Sequence, residues 1–216
     1  MRRVLSIVLL ASALGQTARA QEPEAELGAS FEPITRFLVS PVGPTFAPAQ
    51  KRRATAAVAT SALAEGRVRH RPENATDGKL ETAWVEGAKG AGIGERLTLS
   101  VSGLVLGLSI VPGFAKSETT FGQNNRVSAL TLHFSCRDEG SEELAPCSDL
   151  PPLRVRLQRE GGVVPMKRQY VDLSSEMLDN MDADRVAAIA LEIREIDAAG
   201  ARYDDTCISE VELLGR

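Results

Sequence analysis

"ERLTLSVSGLVLGLSIVPG" (Glu95–Gly113) is the stretch whose reading sets the fold class. Leu97, Leu99 and Val101 alternate with polar residues. After a turn at Gly103, Leu104, Leu106, Leu108 and Ile110 repeat the same spacing. A period of two puts every second side chain on one face, which is the mark of a strand with one buried side. The pattern recurs at Leu130, Leu132 and Phe134, and at Leu153, Val155 and Leu157, where Arg154, Arg156 and Gln158 intervene. It returns at Val171 and Leu173, at Ile189, Leu191 and Ile193, and at Val211 and Leu213. Gly, Pro and Asp clusters punctuate these runs, as expected of an all-β, mostly antiparallel sandwich or jelly roll. One segment departs from the pattern. "SSEMLDNMDADRV" (Ser174–Val186) predicts a short helix capped by Ser174 or Ser175, and the fold holds at most one or two such helices.

The chain has 216 residues, 43% of them apolar and 25% charged, enough for one domain with a normal core and a remainder. Residues 1–20 read as an export signal: basic Arg2 and Arg3, the apolar run Val4–Leu14, then Ala18-Arg19-Ala20 as a small-x-small cleavage site. The expected mature protein is secreted or periplasmic. Without those residues Lys+Arg falls to 22 against 29 acids, and the net charge moves from −4 to −7. That sign argues against a nucleic-acid partner. Residues 21–53 carry Pro23, Pro33, Pro41, Pro44 and Pro48 with no sustained period, and read as a tether. Phe31, Phe37, Leu38 and Phe46 within it are candidates for docking on the domain or a partner. The domain itself is expected over 54–216.

Cys136 and Cys147 flank the polar segment "RDEGSEELAP", and in an oxidising compartment they are placed to close a loop. Cys207, in an apolar strand, reads as a buried free thiol. A zinc site has neither a CxxC pair nor spaced histidines to rest on. Gly90, Gly92 and Gly94 lead into a strand instead of a helix, and no Gly-Lys-Ser/Thr follows, so nucleotide binding is not expected. His133 alternates with core positions and should face outward; His70 has no local partner pattern, and no nucleophile–base arrangement appears.

"DGKLETAW" (Asp77–Trp84) begins with an Asp-Gly turn. Asp77 offers a carboxylate, Thr82 a hydroxyl and a carbonyl, and Glu210 is available as a second carboxylate, an all-oxygen set of the kind Ca²⁺ takes. A plain Asx turn explains the same residues without an ion.

Several separated motifs together resemble one family. "AVATSALAEGRVRHRPENATDGKLETAWVEG" (Ala57–Gly87) is similar to the opening of a discoidin, or coagulation-factor type C, domain. "GIGERLTLSV" (Gly92–Val101), "GLSIVPGFAKSETTFGQNNRVSALTLHFS" (Gly107–Ser135) and "RYDDTCISEVELL" (Arg202–Leu214) resemble its bacterial variant, the NAD glycohydrolase translocation domain. Pro112-Gly113-Phe114 departs from that variant's Asn-Gly-Tyr. The resemblance implies a galactose-binding-like jelly roll with a structural Ca²⁺ held by Asp77, Thr82 and Glu210 side chains and the Lys79 carbonyl. It does not imply NAD cleavage, since that catalytic domain is separate and residues 21–53 are too few to hold one.

The function expected is a non-catalytic, exported binding module for a carbohydrate or envelope surface, met through loops at one end of the sandwich. Candidate contacts are Trp84, Phe114, Phe121, Asn125, Arg126 and Tyr203, with core packing the competing role for Trp84 and Phe114, and pairing with Asp204 or Asp205 for Arg126. A protein–protein adaptor in the envelope is the alternative, and a glycan-processing enzyme ranks last.

Overall fold

The computed structural model describes the backbone of residues 34–35, 39–40 and 50–52 and all of residues 54–215. The expected export signal and most of the Pro-rich segment, with Phe31, Phe37, Leu38 and Phe46, lie outside the described residues. The described part belongs to one compact unit, Glu32–Arg216.

Among the described residues, fifteen strands and two short α-helices follow in order. The first strands are β1 (Ile34–Thr35), β2 (Val39–Ser40), β3 (Gln50–Arg52), β4 (Ala57–Ala59), β5 (Ala64–Glu65), β6 (Val68–Arg69), β7 (Trp84–Val85), β8 (Arg96–Ser100) and β9 (Val105–Pro112). Then come α1 (Glu118–Gln123), β10 (Asn125–Arg137), β11 (Leu144–Pro146), β12 (Leu153–Arg156), β13 (Gln169–Asp172), α2 (Ser174–Leu178), β14 (Val186–Asp197) and β15 (Thr206–Gly215). The hydrogen-bonded path runs β2-β13-β9-β15-β10-β14-β8-β4. Its two halves are the two layers of a jelly-roll sandwich, antiparallel within each half. They join where the first residues of β15 pair in parallel with the first residues of β10, Thr206 opposite Asn125 and Cys207 opposite Arg126.

The period-two residues meet in one core. Leu97, Leu99, Leu108, Ile110, Leu130, Leu132, Val155, Ile189, Leu191 and Ile193 are all fully buried there. Burying side chains of this size stabilises by roughly 1.5–3 kcal/mol each relative to exposure. Two strands go beyond one-sided burial. Every residue of β9 is buried, and so are the first eight of β10, including Arg126, Ser128 and Thr131. These are central strands covered on both faces, so alternation understates their burial.

The outer face of β10 and β14 is polar, and His133 lies on it as expected. It is not idle there. Its Nε2 sits 2.7 Å from Glu192 Oε2, and Glu192 also receives Arg96 and Arg194. These charged hydrogen bonds hold the Glu192 carboxyl below its usual range despite its burial.

Two local expectations change. Neither Ser174 nor Ser175 caps α2: Asp172 Oδ1 accepts the Ser174 N–H at 2.9 Å, and the N-cap residue is Leu173. α1 is an additional helix, opened by a capping box in which Ser117 and Thr120 exchange hydrogen bonds. The glycine loop fits its expected role as a turn between β7 and β8. Gly90, Gly92 and Gly94 all have φ near 60–100°, the left-handed region that glycine tolerates. At Gly92 a Cβ would fall 2.4 Å from the Glu86 side chain, so space as well as φ fixes this residue. Cys136 and Cys147 form a disulfide closing the loop after β10, and Cys207 is a buried free thiol.

Short pieces of the Pro-rich segment pair with the sheet. β1 lies parallel to β12, β2 antiparallel to β13, and β3 antiparallel to the end of β15.

Candidate functional site: a loop rim above the β10–β15 junction

The β10–β15 junction gathers three loops: the β5–β6 hairpin, the turn after β9, and residues 198–205 leading into β15. Sequence alone nominated Trp84, Phe114, Phe121, Asn125, Arg126 and Tyr203 for ligand contact. The structure separates these six by access.

Trp84 is fully buried, and its Nε1–H donates to the Ser61 carbonyl at 2.9 Å. The ring therefore serves core packing and presents no face for stacking. Asn125 is buried too; its side-chain amide donates to the Asp204 carbonyl at 2.7 Å, and its backbone N–H to the Asp205 carbonyl at 3.0 Å. Phe121, buried on α1, lies under the Arg126 guanidinium, 5.3 Å from ring centroid to charge centre. Arg126 pairs neither with Asp204 nor with Asp205. Its partner is Asp197 at 3.2 Å, with both side chains only 4% exposed, and it also donates to the carbonyls of Ala199 and Phe121. Asp197 takes further N–H bonds from Val164 and Ala199, and these bonds with Arg126 hold its carboxyl low against the cost of burial. Gly113 adjoins this knot: a Cβ there would meet the Phe121 ring at 2.6 Å and Arg126 at 2.7 Å. These buried residues build the rim from beneath.

What the rim shows to solvent is different. Tyr203 is 46% exposed, with the Arg202 guanidinium 5.8 Å from its ring centroid. The backbone N–H groups of Arg202 and Tyr203 both donate to the Gln123 carbonyl, so the ring stands on a fixed loop. Phe114 is half-buried against Ala83, Val85 and Cys207. The His70 ring meets Phe114 edge-on, with centroids 5.7 Å apart. His70 Nε2 lies 3.8 Å from Glu65 on the exposed hairpin. Asp205 completes the group. Burial, with Glu65 and Asp204 nearby, raises its carboxyl pKa. Glu86, buried beneath, is also raised, mainly by burial. Burial likewise pushes the Cys207 thiol up, away from the reactive thiolate.

Sequence reasoning missed His70 and Glu65 and the electrostatic influence of both on Asp205. Asp205 lies far from Glu65 and His70 in sequence, and only the β15 entry brings it to their hairpin. One signal was available: Asn74 follows His70 closely, and its amide donates to the carbonyls of Arg69 and Ala83, tying the hairpin to β7.

A second cluster lies at the Asp-Gly turn. Thr82 Oγ1 donates to Asp77 at 2.8 Å and lies 3.2 Å from the Lys79 carbonyl; the Lys79 N–H closes an Asx turn on Asp77 at 2.9 Å. Glu210 arrives from β15 and accepts the Gly78 N–H at 3.0 Å. Burial pushes the Glu210 carboxyl up to about 7, with Asp77 and Glu212 adding to the rise. The four residues named for an ion thus converge. This set of two carboxylates, one hydroxyl and one carbonyl is all oxygen, the donor type a hard cation takes, and among the described residues no group of three or more His, Cys, Asp or Glu is placed to hold a metal ion. A buried carboxylate held near neutrality is a group that a cation would ionise.

The family model described as the NAD glycohydrolase translocation F5/8 type C domain matches residues 50–214. The chain belongs to that family. No curated protein matches it. Solved structures similar to this family member are distant in sequence. The family 32 carbohydrate-binding module from C. perfringens NanJ, in complex with galactose, is 17% identical, with 74% of this chain and 93% of that one covered at a TM-score of 0.45. The third such module of a Clostridium perfringens family 31 glycoside hydrolase is 12% identical, with 76% and 90% covered and a TM-score of 0.49. An F5/8 type C domain from Bacteroides fragilis is 13% identical, with 74% and 91% covered and a TM-score of 0.47.

The Asp205 environment sets a pH dependence. A carboxyl raised in the folded state contributes stability that is full below its ordinary value of 3.8 and is lost as pH rises through the folded value. Asp205→Asn removes that loss. Urea unfolding at several pH values should show the variant gaining on the wild type as pH rises from 4 to 7. A constant difference across that range contradicts the assignment.

Proposed function

We propose that this chain is a non-catalytic, exported binding module, secreted or periplasmic, that recognises a carbohydrate or cell-envelope surface through the loop rim. The observation carrying this reading is an exposed, backbone-anchored Tyr203 two residues before Asp205, whose carboxyl lies near Glu65, Asp204 and the buried His70 ring that meets half-buried Phe114 edge-on. An aromatic face covers the apolar side of a sugar ring, while carboxylates and an imidazole bind its hydroxyls. The rim is prearranged by buried bonds, which lowers the cost of ordering on binding. Membership of an F5/8 type C family supports a binding role over a catalytic one.

A glycan array with the purified chain tests this, with galactose, the sugar in the NanJ complex, among the probes. The expected result is saturable binding to a restricted set of glycans, weakened at least tenfold by Tyr203→Ala and by His70→Ala. Trp84→Ala should instead lower stability, by about 3–5 kcal/mol for a buried aromatic. No binding to any glycan, or binding indifferent to both rim substitutions, overturns the reading.

The same proposal includes a structural Ca²⁺ at Asp77, the Lys79 carbonyl, Thr82 and Glu210. When bound, the ion would neutralise two carboxylates and link the turn to β15. Calcium at a hundred times its Kd would add about 2.7 kcal/mol, raising Tm by roughly 5–10 °C for a domain of this size. Differential scanning calorimetry should show that rise, reversed by EDTA and absent in Asp77→Asn and Glu210→Gln. Equal Tm with calcium and with EDTA removes the ion from the account.

A further inference from the structure

The far end of the sandwich carries a second surface unrelated to the rim. Phe134 lies nine residues along β10 from Asn125, about 30 Å at 3.3 Å per residue. Beside it is a cavity of about 270 Å³. Phe134, Leu150 and Leu153 are buried and supply its apolar floor, and Pro151 and Pro152 form a wall in which neither residue has an N–H to offer. The opposite side comes from α2 and the turn after it, through Ser175, Glu176, Asp179 and Asn180. That volume lies below the usual range for drug-sized ligands and suits one or two side chains.

Charge and exposure identify the occupant. Asp149, Glu176 and Asp179 line the cavity, and among the described residues no Lys or Arg does. Among those residues, too, the carboxylates of Asp149 and Asp179 engage no hydrogen bond or ion pair. Immediately alongside, Leu178 is 55% exposed and Met181 89% exposed, two large apolar side chains left in water. The frame is fixed. The disulfide holds Cys147 to β10, and the next two residues, Ser148 and Asp149, both donate to buried Asp182 at 3.1 Å. Asn180 in turn donates to the Asp149 carbonyl across the opening, at 2.5 Å. Hydrogen bonds from Asp149 and Ser148, and the charge of Arg185, hold the Asp182 carboxyl low. A rigid apolar slot with an acidic lip and exposed apolar flanks is complementary to a segment that alternates basic and aliphatic side chains.

We infer that this end of the domain is a protein-docking surface that receives a basic, aliphatic-rich segment of a partner protein, with a Lys or Arg side chain seated in the cavity against Pro151 and Pro152. The carboxylates of Asp149 and Asp179 meet the cation, and Leu178 and Met181 cover the aliphatic neighbours.

The test uses the full chain and a fluorescein-labelled hexapeptide of alternating Leu and Lys, read by fluorescence anisotropy. The same peptide with Glu for Lys is the counterpart. Saturable binding of the Lys peptide is expected, with none of the Glu peptide. Asp149→Asn with Asp179→Asn should weaken it about tenfold, as two charge contacts of 0.5–1 kcal/mol would. Glu81→Gln with Glu118→Gln, which removes the same charge elsewhere, should change it less than twofold. Met181→Asp should weaken it although it adds negative charge. No binding, or equal weakening by both double variants, overturns the inference. So does a homodimer that Met181→Asp dissociates with no peptide bound, because the face would then belong to a second copy.

Discussion

The buried pair Arg126–Asp197 is the contact on which the rim depends. Two opposite charges, each 4% exposed, sit where β10 begins and β14 ends, at the start of the loop toward β15. Burying them is costly, and the cost is met only because nearly every polar atom finds a partner. The guanidinium reaches Asp197, Ala199 and Phe121, and Asp197 binds Val164 and Ala199. Within the pair, only the Arg126 Nε lacks a partner among the described residues. The result is a knot that fixes residues 197–199, α1 and the first residues of β10 in one arrangement. Asn125 then carries that order one step further, to the carbonyls of Asp204 and Asp205.

This changes what the motif residues mean. Asn125 and Arg126 read in sequence as polar groups able to hold a ligand. Their burial makes them the mounting on which Tyr203, Asp205 and the His70–Phe114 pair are set. Gly113 belongs to the same mounting: its φ of 73° and the closeness of Phe121 and Arg126 leave no room for a side chain. The departure Pro112-Gly113-Phe114 keeps that glycine and supplies a ring without a phenol, which packs against Cys207 and His70.

The layers of the fold were legible because one-sided burial leaves a period of two. Leu97 and Leu99, Leu130 and Leu132, and Ile189, Leu191 and Ile193 all face the core that their spacing indicated. The double-sided burial of β9 and the start of β10 was not legible, because Ser109, Arg126, Ser128 and Thr131 read as solvent-facing residues. The turn at Asp77–Thr82 was legible from short-range spacing, and its closing hydrogen bonds are local. The rim was legible only in part. Tyr203 stood out as an aromatic in a loop, but Glu65, His70 and Asp205 meet through a hairpin and a strand entry separated by more than a hundred residues. Exposure of Leu178 and Met181 also followed no pattern in sequence: Leu178 ends the short helix α2 and Met181 lies in the turn after it.

Native-state hydrogen exchange at the rim tests the central claim most directly. The buried Arg126–Asp197 knot should give the amides of Asn125, Arg202 and Tyr203 protection approaching that of core amides such as Leu130 and Leu191. In Arg126→Met that protection should collapse at Arg202 and Tyr203 while the core amides stay protected. Exchange of the rim amides at the rate of an unstructured loop in the unsubstituted protein would contradict the account.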